Sequence, residues 1–241
     1  MAEQPIEIKV NVAGAVPEAI EALSLDQGEA REIYFAEDLT PGLSSPFPIL
    51  AAGVVLRLRR EADGRGDSTV KLRPCRRSQL TTDWSEPAEE KDSWEYRIEG
   101  DWAGTRHVLA ASYVKELATA DLKAGLNDPA TAFTSRQTAL IDECAAIRIN
   151  LAAVTVLGPI SATRWTKIKV GSVGKVNAER WQVGTLDFLE LSRRVDADEA
   201  AKAQAELVSA AVGAGLTIDR SVASKTEQVL ELLVYPHRNA G

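Results

Sequence analysis

Four short stretches of this chain place a charged residue at every second position, with apolar residues between them. The charged positions are Glu7, Lys9, Arg57, Arg59, Lys71, Arg73, Glu95, Arg97 and Glu99. Because neighbouring side chains of a strand point to opposite faces, each stretch predicts a β-strand with one apolar and one charged face. Such charged faces can line a pocket that holds a polyanion together with metal ions. They can equally be the solvated side of an ordinary sheet.

Length and charge limit the classes of function that remain. A chain of 241 residues is long enough for one large domain or two small ones. The net charge of -7 argues against broad nucleic-acid binding, because phosphate contacts require a basic surface. A local basic pocket stays open, since eight of the 28 basic residues lie between Arg57 and Arg77.

The cysteines and the hydropathy pattern indicate the compartment. Cys75 and Cys144 are too few for a disulfide framework or a zinc site, so we expect reduced thiols in a cytoplasmic protein. No apolar run approaches the roughly 18 residues of a membrane span, and the polar N-terminus does not resemble a signal peptide. We expect neither a nucleic-acid partner nor a membrane. The oligomeric state stays open, with a homodimer among the alternatives.

The predicted elements come in groups of strands and groups of helices. Strands are predicted at 5–12, 31–36, 53–60, 68–74, 93–100, 151–157, 160–170, 176–183 and 185–195, and helices at 17–24, 108–126, 135–149, 196–212 and 224–233. This order differs from the strand–helix alternation of a parallel sheet, so it predicts an α+β fold with an antiparallel sheet. We predict a single domain over 1–241, made of two half-domains with a helical segment at about 108–150 between them.

The ordered strand motifs resemble the CYTH family, also called triphosphate tunnel metalloenzymes. The family's first motif is E-x-E-x-K, and residues 5–9 supply its second Glu and its Lys, with Pro5 in place of the first Glu. Residues 53–59 match its G-x-x-L-R-x-R strand, and residues 69–73 are similar to its next basic strand. Residues 95–99 look like its acidic strand.

The second half of the chain continues the resemblance to this family. Arg164 stands at a later basic position, and residues 188–192 resemble an F-x-E-x-E strand with Ser192 in place of the second Glu. Ser224 and Lys225 resemble the S-K pair that precedes the family's last helix. The similarity therefore extends from residue 5 to about residue 233.

The resemblance implies a closed eight-stranded antiparallel β-barrel whose charged tunnel is enclosed and whose apolar side lies beneath helices. Such a barrel has room for side chains and one small ligand. The family includes thiamine triphosphatases, inorganic triphosphatases and class IV adenylyl cyclases. The expected activity is therefore metal-dependent hydrolysis of inorganic triphosphate or of a small organic triphosphate.

The resemblance also implies roles for single residues. Arginine grips phosphate oxygens with a planar fork and lysine adds a point charge. Carboxylates bind Mg²⁺ or Mn²⁺, which prefer oxygen ligands. The expected phosphate ligands are Arg57, Arg59, Lys71, Arg73 and Arg164, the expected metal ligands are Glu7, Glu95, Glu99 and Glu190, and the expected catalytic residues are Lys9 and Arg57.

Two other interpretations remain beside this one. Two acids of the family are replaced, at Pro5 and Ser192, so the chain can instead be a catalytically impaired CYTH-like protein that binds polyphosphate or a phosphorylated ligand without turnover. Each predicted metal ligand can also be the ion-pair partner of a basic residue. A purely structural or interaction domain is the third interpretation.

Overall fold

The computed structural model describes residues 4–43, 45–90, 93–219 and 224–236. The strands are β1 (Ile6–Ala13), β2 (Glu29–Glu37), β3 (Val54–Glu61), β4 (Gly66–Cys75), β5 (Ala88–Glu90), β6 (Trp94–Ala103), β7 (Arg106–Leu117), β8 (Thr155–Val170), β9 (Val173–Val183), β10 (Leu186–Val195) and β11 (Thr217–Ile218). The helices are α1 (Val16–Ala22), α2 (Pro48–Ala51), α3 (Thr119–Asn127), α4 (Ser135–Cys144), α5 (Ala200–Gly213) and α6 (Lys225–Val234). The predicted α+β class is confirmed. In the described part of the chain, no helix combines the length and the hydropathy that crossing a membrane requires.

The strand pairings follow the pattern of a closed mixed β-barrel. The order is β11-β1-β10-β9-β8-β2-β3-β4-β7-β6-β5, and β1 also pairs with β6. This extra pairing closes a ring of nine strands, from β1 through β10 to β6, and it is parallel, with Ile6 beside Gly100. The prediction of a barrel is therefore confirmed. The predicted number of strands, eight, and the predicted wholly antiparallel pairing were wrong in detail. The ninth strand is β7, which the sequence pattern assigned to a helix.

The segment that forms β7 shows why that assignment failed. A helix was predicted from Val108, but the chain is a strand to Leu117 and the helix α3 begins at Thr119. β7 pairs with β4 in antiparallel register, with Val114 opposite Thr69. Short apolar runs fit both helical and strand periods, so the partner strand decides between them.

The chain forms two compact units, and each is assembled from separate stretches of sequence. Unit 1 contains Met1–Arg31, Glu99–Val108 and Ile160–Lys225. Unit 2 contains Glu32–Ile98, Leu109–Pro159 and Thr226–Gly241. Each unit has its own hydrophobic core.

In unit 2 the apolar faces of β3 and β4 pack beneath helices. Leu56 and Leu58 of β3 and Val70 of β4 are buried in one cluster with Leu122 of α3 and Leu140 of α4. Because side chains alternate along a strand, this packing places the charged residues of β3 and β4 on the opposite face.

Unit 1 repeats the same arrangement with other elements. Ile8 and Val10 of β1 and Leu191 of β10 are buried with Ala203 and Leu207 of α5. β1 and β10 run antiparallel, with Lys9 opposite Ser192. The charged residues of β1 are thus on the face that does not contact α5.

A buried glutamine joins α4 to the sheet of unit 2. Gln137 is fully buried, and its Nε2 donates hydrogen bonds to the carbonyl oxygens of Ser68 (3.0 Å) and Tyr113 (3.4 Å). Its Oε1 accepts a bond from the backbone N–H of Thr134 (3.0 Å), which completes a capping box at the start of the helix. One side chain therefore satisfies groups on the helix and on two strands.

We expect Gln137→Leu to lower the free energy of unfolding by about 2–4 kcal/mol, because it leaves several buried polar groups without partners. Urea denaturation measures this change. Ser135→Ala, on an exposed position of the same helix, is the control and should change stability by less than about 0.5 kcal/mol. A loss below 1 kcal/mol in Gln137→Leu would show that the glutamine does not anchor the helix.

Candidate functional site

Unit 2 carries a row of basic side chains, which we call the basic face, made of Arg57 and Arg59 on β3 and Lys71 and Arg73 on β4. All four are partly buried, and the side chains of Arg57 and Arg59 are only 26% and 20% exposed. They are on the face opposite the leucines of the core, as the alternation predicts. The structure thus brings together four of the five side chains that were expected to bind phosphate, and the fifth, Arg164, belongs to unit 1.

The two arginines of the basic face are held by a carboxylate that the sequence analysis missed. Asp67 is opposite Arg59 in the strand register, and its Oδ2 accepts bonds from Nε (2.7 Å) and Nη2 (2.6 Å) of that arginine. Its Oδ1 lies 3.7 Å from Nη2 of Arg57. Asp67 precedes Thr69 by two residues and Lys71 by four, so the two-residue period of the strand places all three side chains on one face. Asp67 was missed because the predicted strand begins only at residue 68, after a turn.

A threonine hydroxyl completes this arrangement. Thr69 is opposite Arg57 in the register and is buried. Its Oγ1 donates a hydrogen bond to Oδ1 of Asp67 (3.0 Å) and accepts one from Nη2 of Arg57 (3.1 Å). A hydroxyl can donate and accept at the same time, so it links the carboxylate to the second arginine.

The charge state of Asp67 follows from these contacts. Burial by itself would raise the pKa of Asp67, but the positive charges of Arg59 and Arg57 and the hydrogen bonds from Arg59 and Thr69 lower that pKa below its ordinary value. The carboxyl group is therefore ionised at neutral pH, and it accepts every bond described above.

In unit 1 the predicted catalytic lysine is enclosed by carboxylates. Nζ of Lys9 lies 2.5 Å from Oδ2 of Asp101 and 3.0 Å from Oε2 of Glu7. Asp101 is almost completely buried, and Nη1 of Arg106 is 4.0 Å from its Oδ1. Glu7 and Asp101 are neighbours in the parallel pairing of β1 with β6, which sequence patterns do not reveal. The charge of Lys9 is thus balanced within the protein.

The other predicted metal ligands also have basic partners. Oε2 of Glu99 accepts a bond from Nη2 of Arg194 (2.7 Å) in unit 1. Glu95, in unit 2, is 2.9 Å from Nε of Arg97 on the same strand.

Glu190 of unit 1 has the same kind of partner at the start of α6. Its Oε2 lies 3.5 Å from Nζ of Lys225, whose ammonium group also sits 3.9 Å from the ring centroid of Trp181. Within the described ranges, no three His, Cys, Asp or Glu side chains are close enough together to hold a metal ion. The predicted carboxylates therefore occur as ion-pair partners and do not form a preassembled metal centre.

Arg164 contributes to the charged face of unit 1. It is partly buried on β8 and stands opposite Glu179 of β9. Oε1 of Glu179 is 3.8 Å from Nη1 of Arg31, a nearly buried arginine that the sequence motifs did not indicate. A strand pair that places an arginine beside an acid is typical of a charged face with internal compensation.

The comparisons with known proteins relate this fold to solved structures. No protein-family model matches the chain, and no curated protein matches it. HpAC1 from Hippeastrum, a candidate adenylyl cyclase described as having a dominant triphosphatase activity, is 15% identical, with 95% of this chain and 96% of that one covered and a TM-score of 0.60. A candidate adenylate cyclase from Bacillus halodurans is 13% identical, with coverages of 94% and 97% and a TM-score of 0.58.

At these identities the two likenesses bear on the fold alone, and both extend over nearly the whole chain. Together with the ring of strand pairings and the charged strand faces, they show that the chain has the CYTH-like fold that its motifs resemble.

Proposed function

We propose that this protein binds inorganic triphosphate or a small organic triphosphate through the basic face and hydrolyses it. The observation that carries the proposal is the row of partly buried bases on β3 and β4. Guanidinium groups bind phosphate oxygens with paired hydrogen bonds, and partial burial strengthens these bonds relative to bulk water.

The spacing of the basic face favours a linear polyanion over a single phosphate. In the register of β3 and β4, Arg59 and Arg57 are followed along the same face by Lys71, which is opposite Val55. Arg73 comes next, where its backbone N–H bonds to the carbonyl of Gly53. Same-face positions are about 7 Å apart along a strand, so each step of the row adds one positive charge.

Hydrolysis is supported by the activity described for HpAC1, which shares the fold. The residues of this chain that would act in it are the predicted ones. Arg57 and Arg59 would bind phosphate oxygens and stabilise the charge that develops in the transition state, and Lys71 and Arg73 would add positive charge. Lys9 stays a predicted catalytic residue, although Asp101 and Glu7 already compensate its charge.

The cofactor expected for this activity is Mg²⁺ or Mn²⁺, which would neutralise phosphate charge and orient the substrate. Glu7, Glu95, Glu99 and Glu190 are its predicted ligands. In the described part of the chain these carboxylates do not fit a preassembled metal centre, because each is ion-paired and no group of three is close enough.

The same ion pairs favour a second candidate function, which is binding of polyphosphate or a phosphorylated ligand without turnover. Lys9, Arg194 and Lys225 neutralise the carboxylates of Asp101, Glu99 and Glu190. Basic side chains of the protein thus take the place that a metal ion would have beside these acids. A ligand held only by basic side chains would not need a metal for binding.

We propose a cytoplasmic protein with a small-molecule partner, and the two cysteines, Cys75 and Cys144, are free and buried, as a reducing compartment allows. Absence of nucleic-acid and membrane partners and the alternative of a homodimer stay predictions.

We expect phosphate release from tripolyphosphate, ATP or thiamine triphosphate when Mg²⁺ or Mn²⁺ is present, and its loss in EDTA. Arg57→Ala and Arg59→Ala should each lower kcat/KM at least about tenfold, because a charge-assisted contact to phosphate is removed. Arg65→Ala, on an exposed arginine of the turn between β3 and β4, is the matched control and should keep the full rate. No release from any of the three compounds with either metal would reject the enzyme and leave the binding function.

Binding is separated from catalysis by a thermal shift in EDTA. A ligand that binds only the folded state stabilises it by about 2.7 kcal/mol at 100 times its Kd, so tripolyphosphate should raise the Tm. The shift should be smaller in Arg57→Ala and Arg59→Ala and unchanged in Arg65→Ala. A shift that survives both substitutions but disappears in Lys9→Ala would place the anion in unit 1 and contradict the assignment to the basic face.

A further inference from the structure

We propose that Asp67 and Thr69 are positioning residues, which hold the guanidinium groups of Arg57 and Arg59 in the orientation that binds the phosphate chain. The inference rests on the proposed function, since it names what prepares the same site. Asp67 lies outside the motifs by which the chain resembles the CYTH family, and Thr69 begins the motif of residues 69–73 without being one of its basic positions.

The carboxylate of Asp67 restricts the guanidinium group of Arg59. Arg59 contacts one oxygen of Asp67 through two of its nitrogens, at 2.7 and 2.6 Å, and a contact of this kind fixes the plane of the guanidinium group. Oε1 of Glu61 also lies 3.5 Å from Nε of the same arginine. The rotation of this guanidinium group is therefore restricted.

The hydroxyl group of Thr69 links the carboxylate to the other arginine. The Thr69 hydroxyl donates a hydrogen bond to Oδ1 of Asp67 and accepts one from Nη2 of Arg57. The same carboxylate therefore holds Arg59 directly and Arg57 through the hydroxyl group. Asp67 and Thr69 are themselves buried on β4, in register with Arg59 and Arg57. The anchors are therefore on rigid backbone, and each holds the arginine directly opposite.

An arginine that is fixed before binding needs less free energy to bind. A flexible arginine loses rotamer freedom when it binds, and this loss weakens binding. An arginine that is already fixed loses less. The carboxylate also carries one negative charge, which by Coulomb's law opposes a polyanion nearby. The positioning role requires that the benefit of holding the arginines in place exceed this repulsion. Neutralising Asp67 should therefore weaken binding if positioning dominates, and strengthen binding if repulsion dominates.

A substitution that leaves the charge unchanged gives the cleanest test. Isothermal titration of tripolyphosphate in EDTA should show Thr69→Val binding about five- to tenfold more weakly than the unaltered chain, because the hydroxyl link to Arg57 is lost. Thr69→Ser restores the hydroxyl and should bring the Kd back to within about twofold. A merely structural threonine would lower the melting temperature without this recovery of affinity by serine.

Neutralising the carboxylate gives the second arm of the test. Asp67→Asn should weaken tripolyphosphate binding about tenfold, whereas electrostatics alone would strengthen it. Asp63→Asn removes the same charge from the neighbouring turn, where Asp63 pairs only with the exposed Arg65 among its described contacts, and should leave the Kd within about twofold.

The outcomes separate this inference from the proposed function. If the unaltered chain binds tripolyphosphate, and Arg59→Ala weakens binding while Thr69→Val and Asp67→Asn do not, the basic face is the site and the positioning role is wrong. If the unaltered chain does not bind tripolyphosphate, or if Arg57→Ala and Arg59→Ala bind it normally, the assignment of the site fails and the positioning role fails with it.

Discussion

The two-residue period of the strands governs the rest of this structure. Leu56 and Leu58 can be buried beneath α3 and α4 only if Arg57 and Arg59 point away from that core. A slip of one residue in register would bury the charges and expose the leucines, and both changes carry a large cost in free energy. The hydrophobic effect thus fixes the orientation of the charged groups, although it acts on their neighbours.

Charge compensation occurs within each unit. In unit 2, Asp67 is shared by Arg57 and Arg59, and Oε1 of Glu61 lies 3.5 Å from Nε of Arg59. In unit 1, Lys9 contacts both Glu7 and Asp101. Burying a charge costs less free energy when the charge is paired than when it is isolated. This pairing explains how the fold can bury several charged side chains.

The sequence predicted those features that depend on local periodicity. β3 and β4, their apolar and charged faces and four members of the basic face follow from alternation and from the resemblance of residues 53–73. The helix predicted from Val108 was wrong because its small apolar residues suit either period, and contact with β4 determined the outcome. Asp101 could not be predicted, because its partner Lys9 is distant in sequence and pattern analysis does not give the pairing of β1 with β6. The contact of Arg31 with Glu179 of β9 likewise joins residues that are distant in sequence, although Arg31 also lies near Glu29 on its own strand.

The division of the chain into discontinuous units has a consequence for its synthesis. Unit 1 combines residues of Met1–Arg31 with residues of Ile160–Lys225. Its hydrophobic cluster contains Ile6 of β1 and extends to Leu216, whereas the cluster of unit 2 lies entirely between Tyr34 and Val156. During synthesis the core of unit 2 can therefore assemble while the chain is still being translated, but the core of unit 1 must wait until Leu216 has been added.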